Sequence, residues 1–201
     1  ILDRYATLTG QRASRQAANI LHNYFQEAYQ KIDESCWPAH IAAGQLLLDK
    51  HHAREAAQEF ELALKLRSDL PPAHVGLGAI HLAGWDFENC MKRVEAALKQ
   101  NPRFADALLL KATCLMQWRK YEKVQPVLRE ILQTNPNHLE ALSLLAALHV
   151  RNEEPERAEE STRRVEQINA DYAGLPLAIG HWLTAARRFE RAEKQFLRAI
   201  E

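Results

Sequence analysis

The chain has 201 residues, of which 26 are basic and 26 are acidic, so its formal net charge is zero. A neutral chain has no broad electrostatic attraction to nucleic acid or to an anionic membrane. Glycine is scarce, with 7 residues, and the apolar stretches are too short and too interrupted to span a bilayer. Composition therefore argues against a nucleic-acid-binding or membrane-spanning protein and favours a helical one.

The first 36 residues carry a helical pattern that does not join the repeat beginning at residue 37. Their apolar residues follow the spacing of one helix face, at Ala17, Leu21, Tyr24, Phe25, Ala28 and Ile32. This stripe stands one residue out of step with the repeat. Because terminal repeats are usually atypical, we expect residues 1–36 to form a degenerate helical hairpin that caps the array. A helix that folds back into the groove of the array is the alternative.

From residue 37 onward, small residues recur at a fixed interval of 34 residues. They are Gly44, Gly78, Ala112, Ala146 and Gly180. A second ladder in the same register runs through Ala56, Cys90, Val124, Ala158 and Ala192, and a third through Phe60, Val94, Leu128, Thr162 and Phe196. A fixed period of this length, found in several independent ladders, is the mark of a repeat solenoid.

Each repeat has the spacing of two helices joined by a short turn. Phe60, Ala63 and Leu64 give the i, i+3, i+4 stripe of a helix with one apolar face. The small-residue ladder lies on the preceding helix, where a missing side chain lets the two helices pack closely. Turns are predicted near His51, Trp85, Trp118, Glu153 and Arg187. Pro126 falls inside a second helix, so that helix either starts late, near Val124, or bends.

This pattern resembles the tetratricopeptide repeat, whose signature is small, aromatic, small and proline residues at this period. The resemblance covers residues 37–201, with repeats at 37–70, 71–104, 105–138 and 139–172 and a partial fifth at 173–201. It implies an all-α fold, a right-handed superhelical solenoid of antiparallel helix pairs. The fourth repeat departs from the family pattern, because Thr162 replaces a large apolar residue and Ala170 replaces proline.

The reactive side chains form no pattern typical of catalysis or of metal binding. The three cysteines, Cys36, Cys90 and Cys114, are widely spaced, so we expect structural thiols in a reducing, cytoplasmic compartment. The nine histidines show neither an H-E-x-x-H motif nor zinc spacing. No G-x-S-x-G motif and no glycine-rich phosphate loop occurs. We therefore predict no catalytic residue, no metal site and no cofactor.

In tetratricopeptide-repeat proteins the first helix of each repeat lines a concave groove, and the resemblance implies the same here. We call the fifteen corresponding residues the groove set. They are Ile41, Gln45, Leu48, Val75, Ala79, Leu82, Leu109, Thr113, Met116, Ser143, Ala147, Val150, Leu177, His181 and Thr184. Chaperone-binding members of the family grip a terminal carboxylate with lysine, arginine and asparagine from this face. The groove set contains none of these residue types, so a carboxylate clamp, which needs charged donors, is not expected.

Two functions from different classes remain open. One is a protein–protein interaction scaffold whose groove holds an apolar or amphipathic segment of a protein or peptide. Self-association, through the groove or the C-terminal repeat, is a variant of this function. The other is the accessory repeat region of a larger multidomain enzyme, for example a metallopeptidase-like protein. The chain begins on Ile1 and stops within a helical pattern, so we expect it to be a segment of a longer protein. An H-E-x-x-H helix elsewhere in that protein would favour the second function, the accessory region of an enzyme.

Overall fold

The computed structural model of the chain describes residues 35–200 together with Ile20, Phe25, Glu27 and Ala28. This described part is all-α, with ten α-helices, one short 3-10 helix and no β-strand. The all-α fold of successive helix pairs is therefore confirmed. The cap predicted over residues 1–36 lies outside the described residues, apart from those four and residues 35 and 36.

The helices follow one another in pairs, and we call the two members of a pair the first and second helices. The pairs are α1 (Trp37–Asp49) with α2 (Ala53–Leu66), α3 (Pro71–Ala83) with α4 (Phe87–Gln100), α5 (Ala105–Gln117) with the 3-10 helix (Tyr121–Lys123) and α6 (Val124–Thr134), α7 (Leu139–Arg151) with α8 (Pro155–Ile168), and α9 (Gly174–Ala185) with α10 (Phe189–Arg198).

Each described pair turns through one residue in the left-handed backbone conformation. These residues are His51, Trp85, Arg119, Glu153 and Arg187, with φ between 58° and 62°, and they recur every 34 positions. In each turn this residue donates its N–H to the carbonyl three residues back, and the next residue donates to the carbonyl five residues back, as in a Schellman motif. Four of these residues are the predicted ones, and the third turn lies one residue after Trp118. None of the five is glycine, the residue that adopts this conformation without a side-chain clash.

The links between pairs use a repeated asparagine turn. Asn101, Asn135 and Asn169 each follow a second helix in extended conformation. In each case the side-chain Oδ1 accepts a hydrogen bond of 3.1 Å from the backbone N–H two residues later. Asparagine suits this position because its side chain imitates a backbone turn. The same turn forms after Asn169 although Ala170 replaces the proline of the family pattern, so that departure leaves the link intact.

The second helix of the third pair starts late, as one of the two readings of Pro126 predicted. The 3-10 helix comes first, and α6 begins only at Val124, which makes Pro126 its third residue. The first N–H groups of a helix have no partner within the helix, so the N–H that proline lacks is not missed there.

The chain groups into two compact units, Ile1–Ala107 and Leu108–Glu201, and the boundary falls within α5. In the first unit, α1 pairs with α2 and α3 with α4, and α3 also packs on α1 and α2. The ring of Phe60 is fully buried in this packing. A β-carbon added to Gly44 would come within 2.7 Å of that ring, and one added to Gly76 within 2.3 Å. Two glycines, one on α1 and one on α3, therefore make room for Phe60.

In the second unit, α7 pairs with α8 and α9 with α10, and α7 also packs on α6 and α9. The contact between glycine and phenylalanine recurs, because a β-carbon added to Gly180 would lie 2.7 Å from the ring of Phe196. The buried side chains of α8 are those of Ala158, Ser161 and Val165. This helix offers α9 no large apolar residue equivalent to Phe60, and α9 packs on the first helix α7.

Candidate partner-binding face

The structure places the groove set on the first helices but exposes only part of it. Five members are buried, with Leu82 at 7% exposure and Ala147 at 0% among them. The buried members are Ile41, Leu82, Met116, Ser143 and Ala147. The half-buried members are Leu48, Val75, Ala79, Leu109, Thr113 and Val150, and the exposed members are Gln45, Leu177, His181 and Thr184. Ten residues of the groove set are therefore accessible to a partner.

The hydroxyl groups of the groove set are engaged within their own helices. Thr113, Ser143 and Thr184 each donate a hydrogen bond of 2.8–3.0 Å to the carbonyl oxygen four residues earlier. Serine and threonine commonly make this bond inside helices. With these donors engaged, Gln45 and His181 are the accessible members that still offer side-chain donors, and the threonine oxygens can only accept. The other accessible members are apolar.

A charged residue outside the groove set lies beside it, at the end of α7. The guanidinium carbon of Arg151 lies 3.9 Å from the ring centroid of Tyr121 and 5.9 Å from that of Trp182. The two rings meet edge to face with centroids 5.2 Å apart. We call Tyr121, Arg151 and Trp182 the arginine stack. Arg151 follows the groove residue Val150, and its Nη1 donates a hydrogen bond of 2.9 Å to Oδ1 of Asn152.

The sequence did not reveal the arginine stack, because its members come from three different repeats. The position of Arg151, one residue after the last groove position, carries a different type in most repeats. Its occupants are Asp49, Ala83, Gln117, Arg151 and Ala185. A lone arginine at this position is the signal in the sequence, but the register alone does not reveal the two rings that contact it.

A cleft of about 560 Å³ adjoins the arginine stack in the second unit. Its walls come from the end of α7 and the turn after it, from α9 and from the turn after α9. They include Val150, Arg151, Asn152, Trp182, Leu183 and Ala186. The cleft therefore places the guanidinium of Arg151 beside the half-buried side chains of Val150 and Trp182.

The other charged side chains of the cleft are paired with one another. Arg188 and Glu153 form an ion pair of 2.7 Å. Glu154 pairs with Arg157 at 3.2 Å. Arg157 lies outside the cleft lining, in which two arginines face two glutamates. Arg151 makes no ion pair with a carboxylate of the described residues, so it is the cleft arginine without such a partner.

The clearest pKa shifts in the described residues belong to structural contacts. Hydrogen bonds from the side chain and backbone of Asn89 lower the pKa of Asp86, the N-cap of α4. Burial lowers the pKa of His74. Burial also raises the pKa of Tyr172 to about 12, with a contribution from its hydrogen bond to Glu140. Asp86 caps α4, His74 lies in the first turns of α3, and Tyr172 lies in the link before α9, so these groups support the fold.

The residues that the structure describes contain neither a candidate metal site nor a candidate membrane-spanning helix. Within them, no three His, Cys, Asp or Glu side chains come close enough together to hold a metal ion. No described helix is both long and apolar enough to cross a membrane.

Comparison with protein families gives one partial match. A model of the coatomer epsilon subunit matches residues 98–197, just under half of the chain. No curated protein matches the chain.

Several solved structures are similar in fold. YrrB, described as a TPR protein with an unusual peptide-binding site, is 19% identical, with a TM-score of 0.58 over 88% of this chain and 91% of that one. TTC0263, a thermophilic TPR protein of Thermus thermophilus, is 17% identical, with a TM-score of 0.68 over 82% of this chain and 90% of that one. The APC/C hetero-tetramer Cut9–Hcn1 is 12% identical, with a TM-score of 0.75 over 90% of this chain and 36% of that one. At these identities the likeness establishes the fold.

Proposed function

We propose that this chain, which has the tetratricopeptide-repeat fold, is a protein-interaction scaffold and not an enzyme. Its first helices bind an apolar or amphipathic segment of a partner protein. The observation that carries the proposal is that apolar groove residues keep exposed surface within each unit, Leu48 and Val75 in the first and Leu109, Val150 and Leu177 in the second. Exposed apolar patches on a folded protein often mark contact sites.

The expected affinity is modest and insensitive to salt. Complete burial of one leucine or valine side chain contributes about 1.5–3 kcal/mol, so covering the exposed part of a half-buried one contributes about 1 kcal/mol. The ordering of a flexible segment opposes binding, so several side chains must be covered together. Because this contribution is not electrostatic, added salt does not screen it.

The fold comparison supports this class of function. YrrB is described as having a peptide-binding site, and it spans nearly the same length of chain. The hydroxyl groups of Thr113 and Thr184, which donate to their own helices, make no demand for polar partners. A bound segment can therefore be chiefly apolar.

A double substitution in the first unit tests the proposal. Leu48→Asp with Val75→Asp places two charges on the first helices, at half-buried positions that keep exposed surface. The matched control is Leu62→Asp with Leu66→Asp, because these leucines are 40% and 44% exposed on the second helix α2. The probe is a pool of acetylated, amidated peptides with leucine, isoleucine, valine or phenylalanine at alternate positions. Binding is measured by fluorescence polarisation at low and high salt.

We expect the wild type and the Leu62/Leu66 variant to bind the apolar pool equally, with little effect of salt. The Leu48/Val75 variant should lose binding while its circular dichroism stays that of the wild type. Equal binding by both variants would show that the first helices are not the binding surface. A pool with serine and glutamine at the alternate positions should not bind.

A further inference from the structure

We propose that the arginine stack binds the carboxylate of an aspartate or glutamate side chain in the partner segment. This inference rests on the proposed function, since it assigns a second chemical feature to the segment that the first helices hold. It gives the partner a defined composition, in which an acidic residue stands next to apolar ones.

The geometry prepares Arg151 for this contact. Its guanidinium lies 3.9 Å from the centroid of the Tyr121 ring, and contact with a ring face holds a guanidinium in one plane and leaves its edge available. Nη1 bonds to Oδ1 of Asn152 at 2.9 Å, which fixes the rotation of the fork and brings an amide beside it. A guanidinium that is already ordered loses less entropy when it binds a carboxylate in a two-point contact.

The ion pairs around the cleft leave Arg151 as its one arginine without a carboxylate partner. Arg188 pairs with Glu153 and Arg157 with Glu154, and no carboxylate of the described residues pairs with Arg151. One carboxylate of the partner segment would complete this third ion pair. A phosphate group carries nearly two negative charges, and its excess charge would face the carboxylates of Glu153 and Glu154, which line the same cleft.

The surroundings of Arg151 favour a side-chain carboxylate over a chain terminus. A terminal carboxylate is gripped by several charged donors. In this cleft Arg188 is already paired with Glu153 at 2.7 Å, which leaves Arg151 as the one arginine available. Arg151 offers one fork beside the half-buried apolar side chains of Val150 and Trp182. An acidic side chain can reach this fork while its apolar neighbours cover Val150 and Trp182.

The test uses the apolar peptide pool with one central position fixed. Four pools carry glutamate, glutamine, phosphoserine, or glutamine with a free C-terminal carboxylate, and the first three are acetylated and amidated. Each pool is titrated against the wild type and against Arg151→Gln. Arg129→Gln is the matched control, because Arg129 is an exposed arginine of the same unit on α6. Tyr121→Phe keeps the ring beneath the guanidinium, and Tyr121→Leu removes it.

We expect the wild type to bind the glutamate pool about tenfold more tightly than the glutamine pool, as for a charge-assisted hydrogen bond. This difference should shrink as salt is added, vanish in Arg151→Gln and Tyr121→Leu, and persist in Arg129→Gln and Tyr121→Phe. Equal binding of these two pools by the wild type, or an undiminished difference in Arg151→Gln, would overturn the inference and leave the apolar groove standing. Tighter binding of the phosphoserine or free-terminus pool would overturn the choice of a side-chain carboxylate. Failure of every pool would remove the proposed function as well.

Discussion

Replacing Gly76 by alanine tests whether the space around Phe60 is filled. The added β-carbon would lie 2.3 Å from the ring, whereas packed carbon atoms lie about 3.5–4.0 Å apart. The ring would have to move by roughly 1 Å to restore that separation. It has no space to do so, because Phe60 is fully buried and the backbone of Gly44 closes its other side.

The size of the effect follows from two opposing contributions. Overpacking a filled core costs about 1–3 kcal/mol. Alanine in a helix interior offsets part of this, because it favours the helix over glycine by about 1 kcal/mol. We therefore expect Gly76→Ala to lower the free energy of unfolding by about 1–2 kcal/mol.

Urea denaturation followed by circular dichroism measures the change, and Gly84→Ala is the control. Gly84 follows the same helix with a negative φ, and a β-carbon there would meet its nearest neighbour, the carbonyl oxygen of His81, at 3.5 Å. The control should shift the free energy of unfolding by less than about 0.5 kcal/mol. Phe60→Leu replaces the ring by a smaller side chain, so adding it to Gly76→Ala should recover part of the stability that Gly76→Ala loses. If Gly76→Ala unfolds at the same urea concentration as Gly84→Ala, Phe60 is not confined as described.

Two further predictions concern a turn and a link. His51→Gly should raise the free energy of unfolding by about 1 kcal/mol, because glycine adopts the left-handed conformation without strain. His51→Val should lower it, and equal urea midpoints for the two variants would contradict this prediction. The pKa of Tyr172 is raised to about 12, so the protonated phenol contributes stability that is complete below its ordinary pKa of about 10 and is lost as the pH rises through 12. When the free energy of unfolding is measured across this pH range, the wild type should lose more stability than Tyr172→Phe. If the two proteins lose stability in parallel, Tyr172 is not the source of the loss.

The sequence predicted the helix pairs well because a repeat states its pattern several times. Small residues such as Gly44 and Gly180 had to face a second helix, and both lie against a phenylalanine ring. The sequence left two readings of Pro126, since a missing N–H is compatible with a late start as well as with a bend. The packing of the three residues before Val124 into a 3-10 helix decided between them.

The candidate site was harder to predict because exposure depends on contacts between neighbouring pairs. Ser143 and Ala147 stand in the same register as Leu109 and Thr113, but they are buried on α7, which packs on both α6 and α9. The position of Arg151 gave no hint of Tyr121, which lies in another repeat. Periodicity predicts which residues are equivalent, and it does not predict where equivalent residues meet different neighbours.

The left-handed turn residues have a consequence for how the protein can change over evolution. Each turn is closed by backbone amides and carbonyls, so no particular side chain is needed to close it. The chain uses this freedom already, placing an imidazole at His51, an indole at Trp85 and a carboxylate at Glu153. Mutation among residues that are neither glycine nor β-branched alters surface chemistry at a modest cost in stability, and it leaves the helix register unchanged. The turns are therefore the sites where new binding specificities can accumulate without a redesign of the core.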